Sequence, residues 1–495
     1  MSRLIQCLQG LLLAAPLCGF TVASAQTYTG PTSSQSPYLV PSAPGVASVS
    51  LLTVGDAVNF KPDGVTPYRL VGIPDGLGAF ENEDGDTFTL LMNHELRDTV
   101  GVPRAHGAKG AFVSKWIIDK ETLAVLHGED LIKTIHGWNC TNGAYFVLTN
   151  PLSRFCSADL PEVSAFYDKM SKRGYKGRIF LNGEESGTEG RAFAHFLDGK
   201  SYELPWLGKF SWENAVANPD TGLKTVVAGL DDGTGGQVYF YVGRKSHSSN
   251  PLTAAGLNNG VLYGLKVNGV LAENPTNGIP SGTPFTVANL GDVSCLTGAA
   301  LESLSVSNGV TTFLRPEDGC WDPKNPDDFY FVTTASFTGF SRLWRLRFKD
   351  ASNPSAGGKI DMLLDGTEGP KMMDNITISR GKVIIQEDPG NQPHLANVWC
   401  YDIKLDTIKE VLQHDPARFT AGLPGFLTQD EESSGVIPME KILGKGWFLG
   451  VVQAHYAADA ELVEGGQLLA LHINCDDEED DDFGDVELPK PPRVR

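Results

Sequence analysis

An all-β chain, a sandwich or a propeller with the propeller favoured, is what the sequence predicts. Three observations carry that expectation. From about residue 51 the chain is a succession of strand-length runs rich in Val, Ile, Phe, Tyr and Trp, among them "DTFTLLMNHE", "GQVYFYVGR", "GKVIIQED" and "GQLLALHIN", each bounded by Gly, Asp or Asn. Helical periodicity is weak throughout. Four phrases, "WIIDKETL", "YGLKVNGVL", "WRLRFKDAS" and "WCYDIKLDTI", each pass from an aromatic strand into a polar turn, as the outer hairpin of a repeated blade would.

Taken in chain order, residues 1–25 read as an export signal. Arg3 precedes the apolar run "LLLAAPLCGFTVA", and "ASA" precedes Gln26 as a cleavage site. That run is too short to span a bilayer, so no stable membrane anchor is expected and a secreted or periplasmic protein is. Residues 26–50, "QTYTGPTSSQSPYLVPSAPGVASVS", read as a flexible Ser/Pro-rich leader, and 51–475 as a single propeller domain. Within it, "LPEVSAFYDKMSKRG" at 160–174 is the best helical candidate. Residues 476–495 form an acidic tail, with nine acids between 476 and 487, and read as disordered and solvated. Beyond the signal stand Cys140, Cys156, Cys295, Cys320, Cys400 and Cys475. In an oxidising compartment most should pair, and spacing alone leaves the connectivity open.

The formal charge of −20 excludes nucleic acid as a partner, because phosphate neutralisation needs clustered Lys and Arg. Instead, acids gather at strand ends. Glu184 and Glu185 close "IFLNGEESG", Glu213 lies in "KFSWENAV", and Asp231 and Asp232 close "VVAGLDDG". Glu317 and Asp318 follow Arg315 and Pro316 in "FLRPEDG", Asp374 opens "DNITI", Glu387 and Asp388 close "VIIQED", and Asp430 to Glu432 precede "SSG". If those ends converge, adjacent carboxylates repel unless cations neutralise them, and calcium takes about 6–8 oxygens. No EF-hand loop, phosphate loop, G-x-S-x-G elbow or H-E-x-x-H pair is present. His94 and His455 each follow an apolar strand and read as packed or supporting histidines rather than metal ligands.

"MNHE", "WNCTNG", "GEESG", "GKFSWENAVANPDTG", "LRPEDG", "DNITI" and "VIIQED", in that order, together with "EESSG" and "VVQAHY", resemble the PhoX alkaline phosphatases over about residues 60–475. The resemblance implies a six-bladed β-propeller with a central metal-binding channel that holds an iron–calcium centre, and hydrolysis of small phosphomonoesters. It implies Cys140 as a thiolate on Fe3+, and Glu213 and Glu317 as carboxylates on the iron–calcium core. It also implies Glu184 and Glu185, with one or more of Asp374, Glu387 and Glu432, as Ca2+ ligands, and Arg315 as the phosphate-gripping catalytic residue. Gly183 stands where that family commonly carries a cysteine. A monomer is expected. Two other readings stand beside this one. One is a calcium-binding propeller without hydrolytic activity; the other is a calcium-dependent propeller hydrolase acting on a different substrate such as a lactone.

Overall fold

The apolar runs form strands where the sequence places them, and those strands stack as sheets around one axis. The computed structural model describes residues 26–475. The expected export signal, 1–25, and acidic tail, 476–495, lie outside the described residues. The architecture is a β-propeller. Six innermost strands, Pro74–Glu81, Phe155–Asp159, Trp212–Ala217, Pro316–Trp321, Met373–Ser379 and Glu431–Pro438, follow one another around the ring, each beside the next and the last beside the first. Antiparallel partners extend outward from each, as in the sheet Pro74–Glu81, Thr87–His94, Phe112–Asp119, Val125–Asp130. The two sheets that begin at Trp212–Ala217 and Pro316–Trp321 fuse at their rims, where Thr283–Gly291 pairs with Gly358–Leu364. Among the aromatic phrases, "WIIDKETL", "WRLRFKDAS" and "WCYDIKLDTI" each lie at the turn from the third to the fourth strand of a sheet.

Two expectations are corrected here. Residues 26–50 are not a flexible leader. Gln26–Thr29 runs parallel to Ala47–Thr53, which pairs antiparallel with Glu464–His472 and so joins the two ends of the domain in one sheet. Leu39–Pro41 pairs with Thr407–His414 in the neighbouring sheet. Few apolar residues are needed for this, because the backbone completes sheet edges while Tyr38, Leu39, Val46 and Val49 bury fully. Ring packing of Tyr38 on Phe419 and a 2.7 Å bond from its N–H to Gln467 Oε1 hold the crossing. Nor is 160–174 an α-helix. It contains a single 3-10 turn, Val163–Ala165, and a two-residue hairpin, Tyr167–Asp168 with Arg173–Gly174. The longest helix among the described residues, Gly298–Ser307, has no apolar stripe to announce it, and an N-cap bond from Ala300 N–H to Thr297 begins it.

Two disulfides fasten the periphery. Cys140 pairs with Cys295 across 155 residues, and Cys400 with Cys475 across 75. Cys156 and Cys320 are free. Replacing Cys400 and Cys475 together by Ser is expected to lower stability by about 2–4 kcal/mol in denaturant unfolding, since the link closes a long loop on the last strand. At Gly183, a Cβ would lie 2.3 Å from the Cβ of Trp212. Gly183→Ala is therefore expected to cost about 1–3 kcal/mol by overpacking, read as a lowered unfolding midpoint.

Candidate metal centre

One backbone device builds the centre of the ring. In every innermost strand the second residue carries the chemistry: Asp75, Cys156, Glu213, Glu317, Asp374 and Glu432. In five of those strands the register slips just after it, between Pro74 and Leu77, Phe155 and Ala158, Trp212 and Ala215, Pro316 and Gly319, and Met373 and Ile376. A bulge there frees the second residue from the ladder and re-aims its side chain. Four of the strands are entered through a left-handed residue: Ile73 (φ 50°), Arg154 (45°), Arg315 (61°) and Met372 (45°). Such a backbone costs a non-glycine residue about 1–2 kcal/mol, and so belongs where surrounding structure imposes it.

A second tier comes from the first residue beyond the second strand of a sheet. Glu95, Glu185, Asp232 and Asp388 follow Thr87–His94, Ile179–Glu184, Lys224–Asp231 and Lys382–Glu387. Three groups have ligand atoms within 4.8 Å of one another, and the tiers meet in the first two: Asp75, Glu95 and Cys156; Cys156, Glu185 and Glu213; Glu213, Glu317 and Asp374. Cys156 and Glu213 are each shared by two groups, so the three form a continuous, buried series.

Two arginines flank it. Arg154 reaches Glu95 Oε1 at 2.7 Å and Glu185 Oε2 at 2.5 Å. Arg315 makes a fork to Asp232, Nε to Oδ1 at 2.8 Å and Nη2 to Oδ2 at 2.7 Å, and its Nη2 also donates to Glu317 Oε1 at 3.0 Å. Each guanidinium stays about a third exposed, 36% and 33%, while its carboxylate partners are buried. Opposite them, Glu432 accepts from Ser434 at 2.7 Å, and His455 lies between Glu432, 3.6 Å away, and Glu464, 2.5 Å away. Those two carboxylates outweigh burial and raise His455 to about 11, so it is a cation.

Electrostatically the centre is frustrated. Burial first, and neighbouring carboxylates second, push Asp75, Glu213, Glu317 and Asp374 well above the usual carboxylate range. Burial also raises Glu185, against the pull of Arg154. The Cys156 thiol is held up by burial, then by Asp75 and Glu213. Neither oxygen of Glu213, nor Oδ1 of Asp75, meets a hydrogen-bond donor among the described residues. Buried polar atoms are almost always paired, so these oxygens mark where cations fit. A thiol among carboxylates also suits a transition metal beside harder ions.

Of the residues expected as ligands, Glu185, Glu213, Glu317, Asp374 and Glu432 converge, and Arg315 lies against them. Three do not. Cys140 is bound to Cys295 on the exposed rim and has no thiolate to offer; the free thiol at the centre is Cys156. Glu184 points away from the axis, into a fork from Arg191 at 2.6 and 2.9 Å. Glu387 is saturated by His394, Asn397 N–H, Trp399 Nε1 and Lys371 N–H, all within 2.9 Å. In both acidic pairs strand alternation turns the first acid outward, and the residue just past the strand end faces the centre. Asp75, Glu95, Cys156, Arg154, Asp232 and Asp388 were missed as site residues. For Asp75 and Cys156 the signal is positional, since "PD", "FC", "WE", "PE", "MD" and "EE" occupy equivalent places in six strands. His94 is a packed residue, stacked 4.2 Å from Phe112 with Nε2 2.9 Å from Ser114 Oγ and lowered to about 3 by burial.

No family model and no curated protein matches the chain. Among solved structures, Pseudomonas fluorescens PhoX in complex with vanadate, a transition state analogue, is similar at a TM-score of 0.65 and 12% identity, over 91% of this chain and 98% of that one. The PQQ-bound aldose sugar dehydrogenase of Streptomyces coelicolor (TM-score 0.33, 12% identity, 86% and 98% covered) is also similar. So is the β-propeller domain of the Trilobed protease from Pyrococcus furiosus (0.30, 7%, 78% and 93%). At these identities the likeness is one of fold, which is the β-propeller.

Burial raises Asp318 to about 6 and Asp159 to about 7. Both lie above the ordinary value of about 3.8, so the fold favours their protonated forms. Stability from this source is complete below about pH 4 and is lost as pH rises through 6 to 7. The chelator-treated protein should therefore melt at progressively lower temperature from pH 5 to pH 8, and Asp159→Asn should flatten that slope. An unchanged slope would show that Asp159 ionises freely in the fold.

Proposed function

We propose that this chain is an exported metal-dependent phosphatase that hydrolyses small phosphomonoesters as a monomer, with a calcium or iron–calcium centre. The observation that carries the proposal is Glu213. Its buried, donorless carboxylate is shared by two ligand groups, one of which contains Glu317, which Arg315 touches. Cys156, Glu185 and Glu213 would hold the iron. Asp75 with Glu95, and Glu317 with Asp374, would hold calcium. When bound, such cations neutralise the carboxylates and polarise a phosphoryl oxygen. The remaining faces of Arg315 and Arg154, fixed from behind by buried acids, would orient the phosphate, for which a planar guanidinium is well matched. The propeller likeness to PhoX supports the class of reaction, and the two disulfides support an oxidising, extracytoplasmic location.

The bidentate grip of Asp232 on Arg315 favours a second reading, a calcium-binding propeller without hydrolysis in which Arg315 is structural. Hydrolysis of p-nitrophenyl phosphate separates the two. The phosphatase reading expects turnover that chelation abolishes and that Arg315→Ala lowers by 100-fold or more. Metal-replete, folded protein with no turnover from pH 5 to 11 supports the second reading. Elemental analysis tests the ligand assignment independently of activity. Cys156→Ser should lose iron and keep calcium, whereas the Cys140→Ser, Cys295→Ser double variant should keep both.

A further inference from the structure

We propose that the acidic segment 476–487 of this chain docks in a basic cavity at the end of the propeller opposite the acid cluster. The cavity, about 800 Å³, is lined by Lys324, Arg380, Lys382, Lys404 and Lys409, with Asp402 as its only acid. That is a net charge of four positive in a chain whose total is −20, with Lys382 already paired to Asp402 and Arg380 3.9 Å from Glu440 just outside the lining. Basic side chains collected this way attract polyanions, and the rest of the surface repels them.

The position of the chain end selects the occupant. Ile473, Asn474 and Cys475 form part of the wall, and the disulfide to Cys400, another wall residue, holds the backbone there. The next twelve residues are "DDEEDDDFGDVE", nine of them acids. Tethered at the cavity itself, they are present at an effective concentration of mM order or higher, so weak contacts suffice. Phe483 lies eight residues past Cys475, within reach of the apolar part of the lining, where Leu405 is 61% exposed.

The site is separate from the metal centre. Asp374 is the second residue of the strand Met373–Ser379 and the cavity begins at the other end, at Ser379, about 17 Å along.

The test uses the full chain. Carbodiimide coupling at 25 mM NaCl, followed by peptide mass spectrometry, should join acids of 476–487 to Lys404, Lys409 or Lys324 within one molecule, and 300 mM NaCl should suppress those links. Glutamyl endopeptidase should cleave the segment at least tenfold faster in the Lys404→Glu, Lys409→Glu double variant than in the native chain. The exposed Lys404→Glu alone should show a smaller increase in the same direction, at an unchanged melting temperature. Links scattered over lysines elsewhere, links only between molecules, or equal cleavage in native and variant chains would overturn the proposal.

Discussion

Mutual repulsion among buried carboxylates at the axis is the constraint to which the rest of the structure answers. Asp75, Glu213, Glu317 and Asp374 project into one volume from four different strands, and each is 7% exposed or less. Leaving even one such group charged and unpaired in a protein interior costs several kcal/mol. The fold must therefore supply protons, cations, or both, and it must stop the inner strands from separating. Hydrogen bonds at the next position perform the second task. Asn214 Nδ2 donates to Ser157 Oγ at 3.1 Å and to Asp318 Oδ1 at 2.6 Å, while Asp318 Oδ2 accepts from Ile376 N–H at 3.1 Å. Gly435 N–H then donates to Asn375 Oδ1 at 3.0 Å. This belt links five successive inner strands, from Phe155–Asp159 round to Glu431–Pro438, directly behind the charges, so those acids are held close by bonds that do not use them.

The corner at Arg315 shows how one short segment serves both needs. Left-handed φ at Arg315 turns its guanidinium back toward Asp232 while Glu317, two residues on, enters the centre. Asp318 then faces the opposite way along the bulge and joins the belt. Arg154 repeats the arrangement two strands earlier around the ring, with Glu95 in the place of Asp232 and Cys156 in the place of Glu317. A repeated backbone geometry thus accepts different side chains, and that variation makes the centre asymmetric, with sulfur on one side and oxygen elsewhere.

The strands were legible because period and composition are local properties, and three of the four aromatic phrases do mark outer hairpins. Which acid of a pair faces the axis was not. Glu184 and Glu185, or Glu387 and Asp388, look alike in a linear sequence, and their fates depend on whether a residue closes a strand or just follows it. Cys140 was misread for a related reason. Its partner Cys295 is 155 residues away, and only the packing of two outer loops brings them together. The strands of 26–53 were hidden because their stability comes from edges supplied by residues more than 360 positions later in the chain.

Retention of a thiol at the centre of a protein that forms disulfides elsewhere needs a physical account, and the site provides one. Disulfide exchange requires thiolate, and burial with Asp75 and Glu213 alongside keeps Cys156 protonated. Cys140 and Cys295, by contrast, meet on the exposed rim with Cα atoms 5.5 Å apart. Once the ring has closed, oxidants reach the rim and not the axis, since Cys156 is only 7% exposed. The same carboxylates that suppress ionisation of the free thiol would draw in a cation, and a bound cation reverses the local field so that thiolate becomes the favoured state. Such a cluster would protect its sulfur before a metal arrived and present it as a ligand afterwards.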